Sequence, residues 1–232
     1  MVQSASPYDP AAVDVAAERI ADGSVVGFFF NGAYALLGDA DRSDAAECIF
    51  RLKRRPREQT LSLVADPRFW DEFIDVDSPA LSRFPLERVV GLHERLHALG
   101  VIYPADRRSA PPHLIQNDTI LNVWTRYGPL IALHEACRAR GRRALLGASA
   151  NLSGEPTYTT AARMHEVFGD ELAVIFAEDP TVPEERRQSV SLIDLTGPAP
   201  VLVRRGNTTE TEVRDAVAAA GLGDLTAAEA LT

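Results

Sequence analysis

Short apolar runs alternate along this chain with segments whose apolar residues recur at helical spacing. Residues 9–22 read as a helix, with Pro10 in its first turn and Gly23 past its end. Residues 24–30 (Ser-Val-Val-Gly-Phe-Phe-Phe) read as a buried strand. Ser43 is suited to cap a second helix running to about Lys53, with Ile49, Phe50 and Leu52 apolar and Arg51, Lys53 and Arg54 at its C-terminal turn. Strands are expected at 61–64, 99–103, 120–125, 144–148, 172–176, 190–195 and 201–204. Further helices are expected at 66–76, 86–98, 159–168 and 208–220, and from Gly128-Pro129 to Gly141. Such alternation favours a mixed or mostly parallel sheet covered by helices. Residues 104–112 are the least regular and read as a mobile loop. No linker or internal repeat divides the chain, so a single domain is expected over residues 1–232, with its core at about 12–207 and a closing helix at about 208–220.

Composition adds little until charge is considered. The net charge is −9, so the chain should not coat nucleic acid non-specifically, and any phosphate chemistry belongs in a local basic pocket. Cys48 and Cys137 form no CxxC pair and are expected to be small core residues without a disulfide. No leader or membrane-length apolar run is visible, which makes the cytoplasm the expected compartment. Of the 24 Lys and Arg residues, only Lys53 is lysine.

That lysine opens Lys53-Arg54-Arg55-Pro56-Arg57, four cations within five residues. Pro56 biases Arg55 away from the helical region. In an extended chain, residues two apart share a face, so Lys53 and Arg55 would point the same way. A compact ammonium and a planar guanidinium make a useful pair for a polyphosphate. The alternative is a solvated helix C-terminus that complements its dipole. A second segment, Gly147-Ala148-Ser149-Ala150-Asn151-Leu152-Ser153-Gly154, follows an expected strand. Its small residues permit close approach to the backbone, and Ser149 and Asn151 both donate and accept hydrogen bonds. Loops at strand carboxyl ends commonly bind ligands in α/β sheets. The alternative here is an ordinary polar turn.

Together these segments resemble the YrdC-like family, whose best-known members make threonylcarbamoyl-adenylate from threonine, bicarbonate and ATP. The family's lysine-x-arginine-proline motif is present as Lys53, Arg54, Arg55 and Pro56. Its serine-alanine-asparagine-x-serine-glycine motif is present as Ser149 to Gly154. The segment Ser191 to Gly197 looks like the family's late strand, and Arg204-Arg205-Gly206 like its arginine-x-glycine turn. The resemblance implies a twisted mixed or parallel α/β sheet with a concave nucleotide site. It implies that Lys53 and Arg55 hold the triphosphate and stabilise the departing pyrophosphate, and that Ser149, Asn151, Ser191 and Arg204 hold the nucleotide. It also implies ATP with Mg²⁺, the metal bound largely through phosphate oxygens and water.

The chain departs from this family on one side. The family's first strand ends in proline-threonine-acid-threonine-x-tyrosine; here Phe29, Phe30, Asn31, Gly32, Ala33 and Tyr34 occupy those positions, and only the tyrosine remains. The glycine-proline-x-threonine strand is replaced by His97-Ala98-Leu99-Gly100. The arginine of the arginine-x-proline strand falls near Trp124, with Arg126 as its substitute. Phe30, Asn31, Tyr34 and Arg126 are therefore expected to line an altered acceptor pocket. The activity expected is formation of a carbamoyl- or aminoacyl-carbamoyl-adenylate from ATP and bicarbonate or a carbamoyl donor, on an amine or amino acid other than threonine. The alternatives are the ordinary threonylcarbamoyl-adenylate synthase of tRNA modification, and a nucleotide- or RNA-binding protein without turnover. A tRNA-modification or biosynthetic protein is the expected partner.

One motif competes. His93-Glu94-Arg95-Leu96-His97 matches H-E-x-x-H, which on a helix presents two zinc ligands on one face with Glu94 as general base. Gly100 continues the longer form, but Tyr103 stands where it needs histidine, so Asp106 or His113 would have to complete the site. The remaining histidines, His134 and His165, show no ligand spacing.

Overall fold

The structure is a computed structural model and describes residues 4–30, 32–56, 59–96 and 98–227. Helix α1 (Pro10–Ala21) begins where Asp9 accepts from the Ala11 amide at 3.0 Å, and it turns Val13, Ala16, Ala17 and Ile20 inward. Strand β1 (Val26–Phe30) is buried along its whole length and pairs antiparallel with β2 (Ala33–Asp39). β2 was not among the expected strands. Its sequence, Ala-Tyr-Ala-Leu-Leu-Gly-Asp, lacks β-branched residues and is held extended by pairing on both sides. Helix α2 (Ser43–Lys53) takes Arg42, not Ser43, as its N-cap.

Strand β3 (Ser62–Val64) leads to a 3-10 turn, Pro67–Glu72, instead of the full helix expected over 66–76. Asp66 caps that turn, and the Trp70 indole donates to the Ala65 carbonyl at 2.8 Å. α3 (Pro79–Arg83) and α4 (Leu86–Arg95) follow. Leu96 is extended, so α4 ends before the expected residue 98 and β4 (Ala98–Pro104) begins. β5 (Ile115–Gln116) and β6 (Thr119–Thr125) form a hairpin through Asn117 and Asp118, both at positive φ (51° and 61°) as a tight hairpin turn requires. Then come α5 (Gly128–Ala139), β7 (Leu145–Ser149), α6 (Ala161–Phe168), β8 (Ser191–Asp194), β9 (Val201–Arg204), α7 (Glu210–Ala219) and β10 (Thr226–Ala227). Residues 172–176 make isolated parallel bridges (Gly27 with Ile175, Ala5 with Phe176) and not a full strand.

The ten described strands join one mixed sheet ordered β1-β2-β7-β3-β6-β4-β8-β9-β10, with β5 on β6. β3 with β6, β4 with β8 and β9 with β10 are parallel; the remaining pairs are antiparallel. Alternation on β6 separates the two faces: Trp124 packs edge-on against His134 of α5 at 5.2 Å, while Leu121 and Val123 face the other way. Since α1 packs on α5, these two helices cover the face opposite the cavity described below. The 104–112 segment is pinned at the far end of β2. There His113 donates to the Ala40 carbonyl at 2.9 Å, and the Arg143 guanidinium bridges Asp41 and the Ser109 carbonyl.

Helix α7 carries a full capping box: Thr209 accepts from the Glu212 amide at 3.2 Å and Glu212 accepts from the Thr209 amide at 2.7 Å. Arg186 also forks onto Glu212, at 3.0 and 3.1 Å. The Arg186 bonds first, and the Thr209 bonds after them, draw the Glu212 carboxyl from 4.5 down to about 2. A depressed carboxyl contributes stability that is complete above its unfolded pKa and is lost as pH falls through the folded one. Urea unfolding should therefore lose part of its midpoint between pH 5 and pH 2, and Glu212→Gln should flatten that slope. Thr209→Ala should cost about 1 kcal/mol at pH 7.

Candidate functional site

The motif Lys53-Arg54-Arg55-Pro56 forms a helix end. Pro56 disfavours a helical Arg55, and the helix ends at Lys53, with Arg54 left-handed (φ 49°) and the Arg55 amide turned back onto the Phe50 carbonyl at 3.0 Å. This sends Lys53 and Arg55 to different places, contrary to the shared face expected of an extended segment. Lys53 is the last helical residue and is 2% exposed. Its ammonium donates to the Ser149 carbonyl, to the Asn151 carbonyl at 3.0 Å and to Asn151 Oδ1 at 2.7 Å, so three acceptors take its three protons. Burial, and after it the positive charge of Arg55, push the Lys53 amine down to about 7.

The loop after β7 is built on that ammonium. Asn151 Oδ1 also accepts from the Ser149 hydroxyl at 2.8 Å, while its amide nitrogen donates to the Leu152 and Glu155 carbonyls at 2.9 and 2.8 Å. The Ser153 amide closes back onto the Lys53 carbonyl at 2.9 Å. Tyr34 and Tyr158 stitch the loop base through three backbone bonds of 2.8 Å: Tyr34 to Tyr158, Ala150 to Tyr34, and Tyr158 to Ala150. The Asn151 side chain is thus spent on loop structure. Ser149 stands at the strand end, where it lines a cavity.

That cavity, about 290 Å³, lies on the sheet face away from α1 and α5. One wall is Arg55, Thr60, Ser62 and Ser149; the other is Thr157, Gln188, Ser189 and Arg204; Phe30, Ala33, Tyr34 and Ala35 close one end. A 2.9 Å bond between the Thr157 and Ser189 hydroxyls joins the loop to the 188–190 segment. Arg55 is half-buried and donates from Nε to Gln59 at 2.6 Å. Arg204 holds the Val190 carbonyl through Nε and Nη2, at 3.2 and 2.9 Å. Among the described lining residues these two arginines are the charged ones, and none is a carboxylate. In a chain of net charge −9, this lining is locally basic.

The structure brings together Phe30, Tyr34, Arg55, Ser149 and Arg204 of the expected site residues. Asn31 lies outside the described residues. Four others do not line the cavity. Lys53 sits behind the loop, and the Asn151 side chain is turned into it. Ser191 is fully buried at the start of β8, donating to the Thr208 carbonyl at 2.9 Å and accepting from the Gly206 amide at 3.0 Å. Arg126, past the end of β6, donates to the Glu94 carbonyl at 2.6 Å and serves the C-terminus of α4. The Tyr34 hydroxyl points into the protein, onto the Phe176 carbonyl at 2.7 Å and Glu178 at 3.2 Å. Thr60, Ser62, Gln188 and Ser189 were missed as site residues; for Ser62, alternation along a short strand was the only available signal. Residues 104–112 do not line the cavity.

The H-E-x-x-H pattern does not form on a helix, because α4 stops at Arg95 and Leu96 is extended. His93 is buried edge-on against Trp70 at 5.2 Å with neither ring nitrogen hydrogen-bonded, and burial pushes it down to about 3. His97 lies outside the described residues. Tyr103 donates to the Phe84 carbonyl at 2.7 Å, and among the described residues no group of three His, Cys, Asp or Glu is placed to hold a metal. Cys48 and Cys137 are free thiols, the second buried and pushed up to about 12.

The molecule is a mixed-sheet α/β protein whose sheet face carries a cavity lined by two arginines and bordered by a serine-asparagine loop at a strand end. The chain belongs to the Sua5/YciO/YrdC family: the family model described as "Telomere recombination" matches residues 18–206. A threonylcarbamoyl-AMP synthase from Klebsiella pneumoniae subsp. pneumoniae is 31% identical over 137 residues, which are 59% of this chain and 68% of that protein. Among solved structures, P. abyssi Sua5 complexed with L-threonine matches with a TM-score of 0.77 at 22% identity, over 94% of this chain and 59% of that one. This chain therefore spans about three-fifths of the P. abyssi protein. E. coli YciO matches with a TM-score of 0.71 at 20% identity, over 88% and 94% of the two chains. Both structures show the same fold.

Lys53 and Arg55 should separate in experiment. Lys53→Met removes the donor from two partly buried carbonyls and leaves Asn151 Oδ1 with the Ser149 hydroxyl alone, and should cost on the order of 3 kcal/mol in urea unfolding. Arg55→Ala, on the cavity wall, should stay within about 0.5 kcal/mol of the parent.

Proposed function

We propose that this chain uses ATP to activate a carbamate as its adenylate, with an amine other than threonine as acceptor. The observation that carries this reading is the cavity itself: two guanidinium groups and several hydroxyls border one space, and none of the described lining residues is a carboxylate. That donor set suits phosphate oxygens. Family membership and the named activity of the Klebsiella relative support the same chemistry.

In this reading an amine nitrogen bonds to the carbon of bicarbonate and water leaves, giving a carbamate. A carbamate oxygen then bonds to the α-phosphorus of ATP. The bond from that phosphorus to the bridging oxygen breaks, and pyrophosphate departs with the electron pair. Arg55 is the protein's charge on the departing group, and the Ser149 hydroxyl donates to a phosphate oxygen by turning its one proton away from Asn151 Oδ1, which Lys53 continues to hold. Lys53 is a positioning residue: it fixes the loop that presents Ser149 and adds its field from behind. Mg²⁺ would ride on phosphate oxygens and water. Arg204 faces the nucleotide from the opposite wall.

The acceptor side supports a substrate other than threonine. Of the two positions where the family carries threonines in its first strand, one is Phe30, an apolar wall of the cavity. The other is Gly32, at φ +138°, where a Cβ would lie 2.5 Å from the Arg186 carbonyl. No threonine side chain fits there.

Calorimetric titration tests this reading. ATP with Mg²⁺ should bind, with an affinity indifferent to threonine, and Arg55→Ala should weaken ATP roughly tenfold or more. Tighter ATP binding in the presence of threonine would instead make this chain an ordinary threonylcarbamoyl-adenylate synthase. Absence of ATP binding would remove the enzyme reading altogether.

A further inference from the structure

The cavity floor has a chemistry of its own. The sheet order places β4 between β6 and β8, and at its centre lies Gly100, paired with Val123 on one side and Leu192 on the other. A Cβ on Gly100 would strike Leu192 Cδ2 and come within 3.3 Å of Leu121 Cδ1 and 3.4 Å of Val123 Cγ2. Three aliphatic side chains from two strands therefore converge over one glycine, and all three line the cavity. Val64 of β3 lengthens this floor toward Ser62. The position that carries a hydroxyl-bearing side chain in the family's corresponding strand is here a glycine, and Leu192 fills the space. The two features depend on each other: Gly100 cannot gain a side chain while Leu192 lies across it.

Charge points the same way. None of the described lining residues is a carboxylate, so these side chains offer a bound ammonium no counter-ion. An amine enters this space uncharged, which is also the form that attacks bicarbonate. A hydroxyl laid on the aliphatic floor would lose its water without gaining a partner.

Resting on the reading of an ATP-dependent carbamate-activating enzyme, we infer that the acceptor is a small amine with an aliphatic body and no hydroxyl, seated on Leu121, Val123 and Leu192. Two sources share this chemistry. An aliphatic amino acid would bring a carboxylate for Arg204; a simple alkylamine would leave that guanidinium to the nucleotide.

The test is calorimetry with the α,β-methylene analogue of ATP, which cannot release pyrophosphate, on the intact chain with Mg²⁺ and bicarbonate. L-valine, isobutylamine and L-threonine are the probes. The expected result is that valine or isobutylamine tightens binding of the analogue roughly tenfold or more, with threonine weaker by about the same factor. A response to valine alone assigns an amino acid; a response to isobutylamine alone assigns an alkylamine. Val123→Thr places a hydroxyl on the floor at nearly constant volume and should shift the valine-to-threonine ratio toward threonine. Threonine acting as strongly as valine, an unchanged ratio in a folded Val123→Thr protein, or an analogue that binds but ignores both aliphatic probes would overturn the inference and leave the nucleotide reading standing. An analogue that does not bind at all would overturn the nucleotide reading, and the inference with it.

Discussion

One buried ammonium organises this molecule's site. Lys53 is withdrawn from solvent at the end of α2, and its protons go to two carbonyls and a side-chain oxygen of the loop that follows β7. Burying a cation is expensive unless every proton is matched by an acceptor with good geometry. Here the matching fixes the loop: Asn151 cannot turn away without unpairing the ammonium, and Ser149 is held by Asn151. The helix end and the strand end become one unit, and Ser149 is presented to the cavity by a structure that needs no ligand to form it.

Around that unit the sheet divides its labour by strand alternation. On β6, Trp124 goes to the helical layer, where it meets His134, and Val123 goes to the cavity. On β4, Gly100 withdraws its side chain so that Leu192 and its neighbours can close the floor. The charged groups sit on the walls, with Arg55 beyond the helix end and Arg204 on the penultimate strand of the sheet. Guanidinium groups and an aliphatic floor thus occupy different parts of one space, so the second can change while the first is kept.

Much of this was legible in the residues. The long helices, the buried run before Phe30 and the strand before Ser149 follow from periodicity and caps, and the two short motifs located the wall of the cavity that carries Arg55 and Ser149. Other features were not legible, for physical reasons. β2 reads as a poor strand because its extension comes from partners on both sides, far apart in sequence. Lys53 read as a phosphate-holding cation, or else as a solvated one at a helix end; only the loop's oxygens, 96 and 98 residues away, make it a buried one. Ser191 and Arg126 matched expected positions yet spend their donors on neighbouring backbone. The aliphatic floor depends on three side chains meeting over a glycine on a third strand, which no local pattern reveals.

The most direct test of the Lys53-built site is a crystal structure of the protein with ATP and Mg²⁺. The account predicts phosphate oxygens against the Arg55 guanidinium and the Ser149 hydroxyl, with Lys53 still on the Ser149 and Asn151 oxygens. A nucleotide bound elsewhere, or a Lys53 ammonium that leaves the loop and swings into the cavity to hold the phosphates itself, would contradict it.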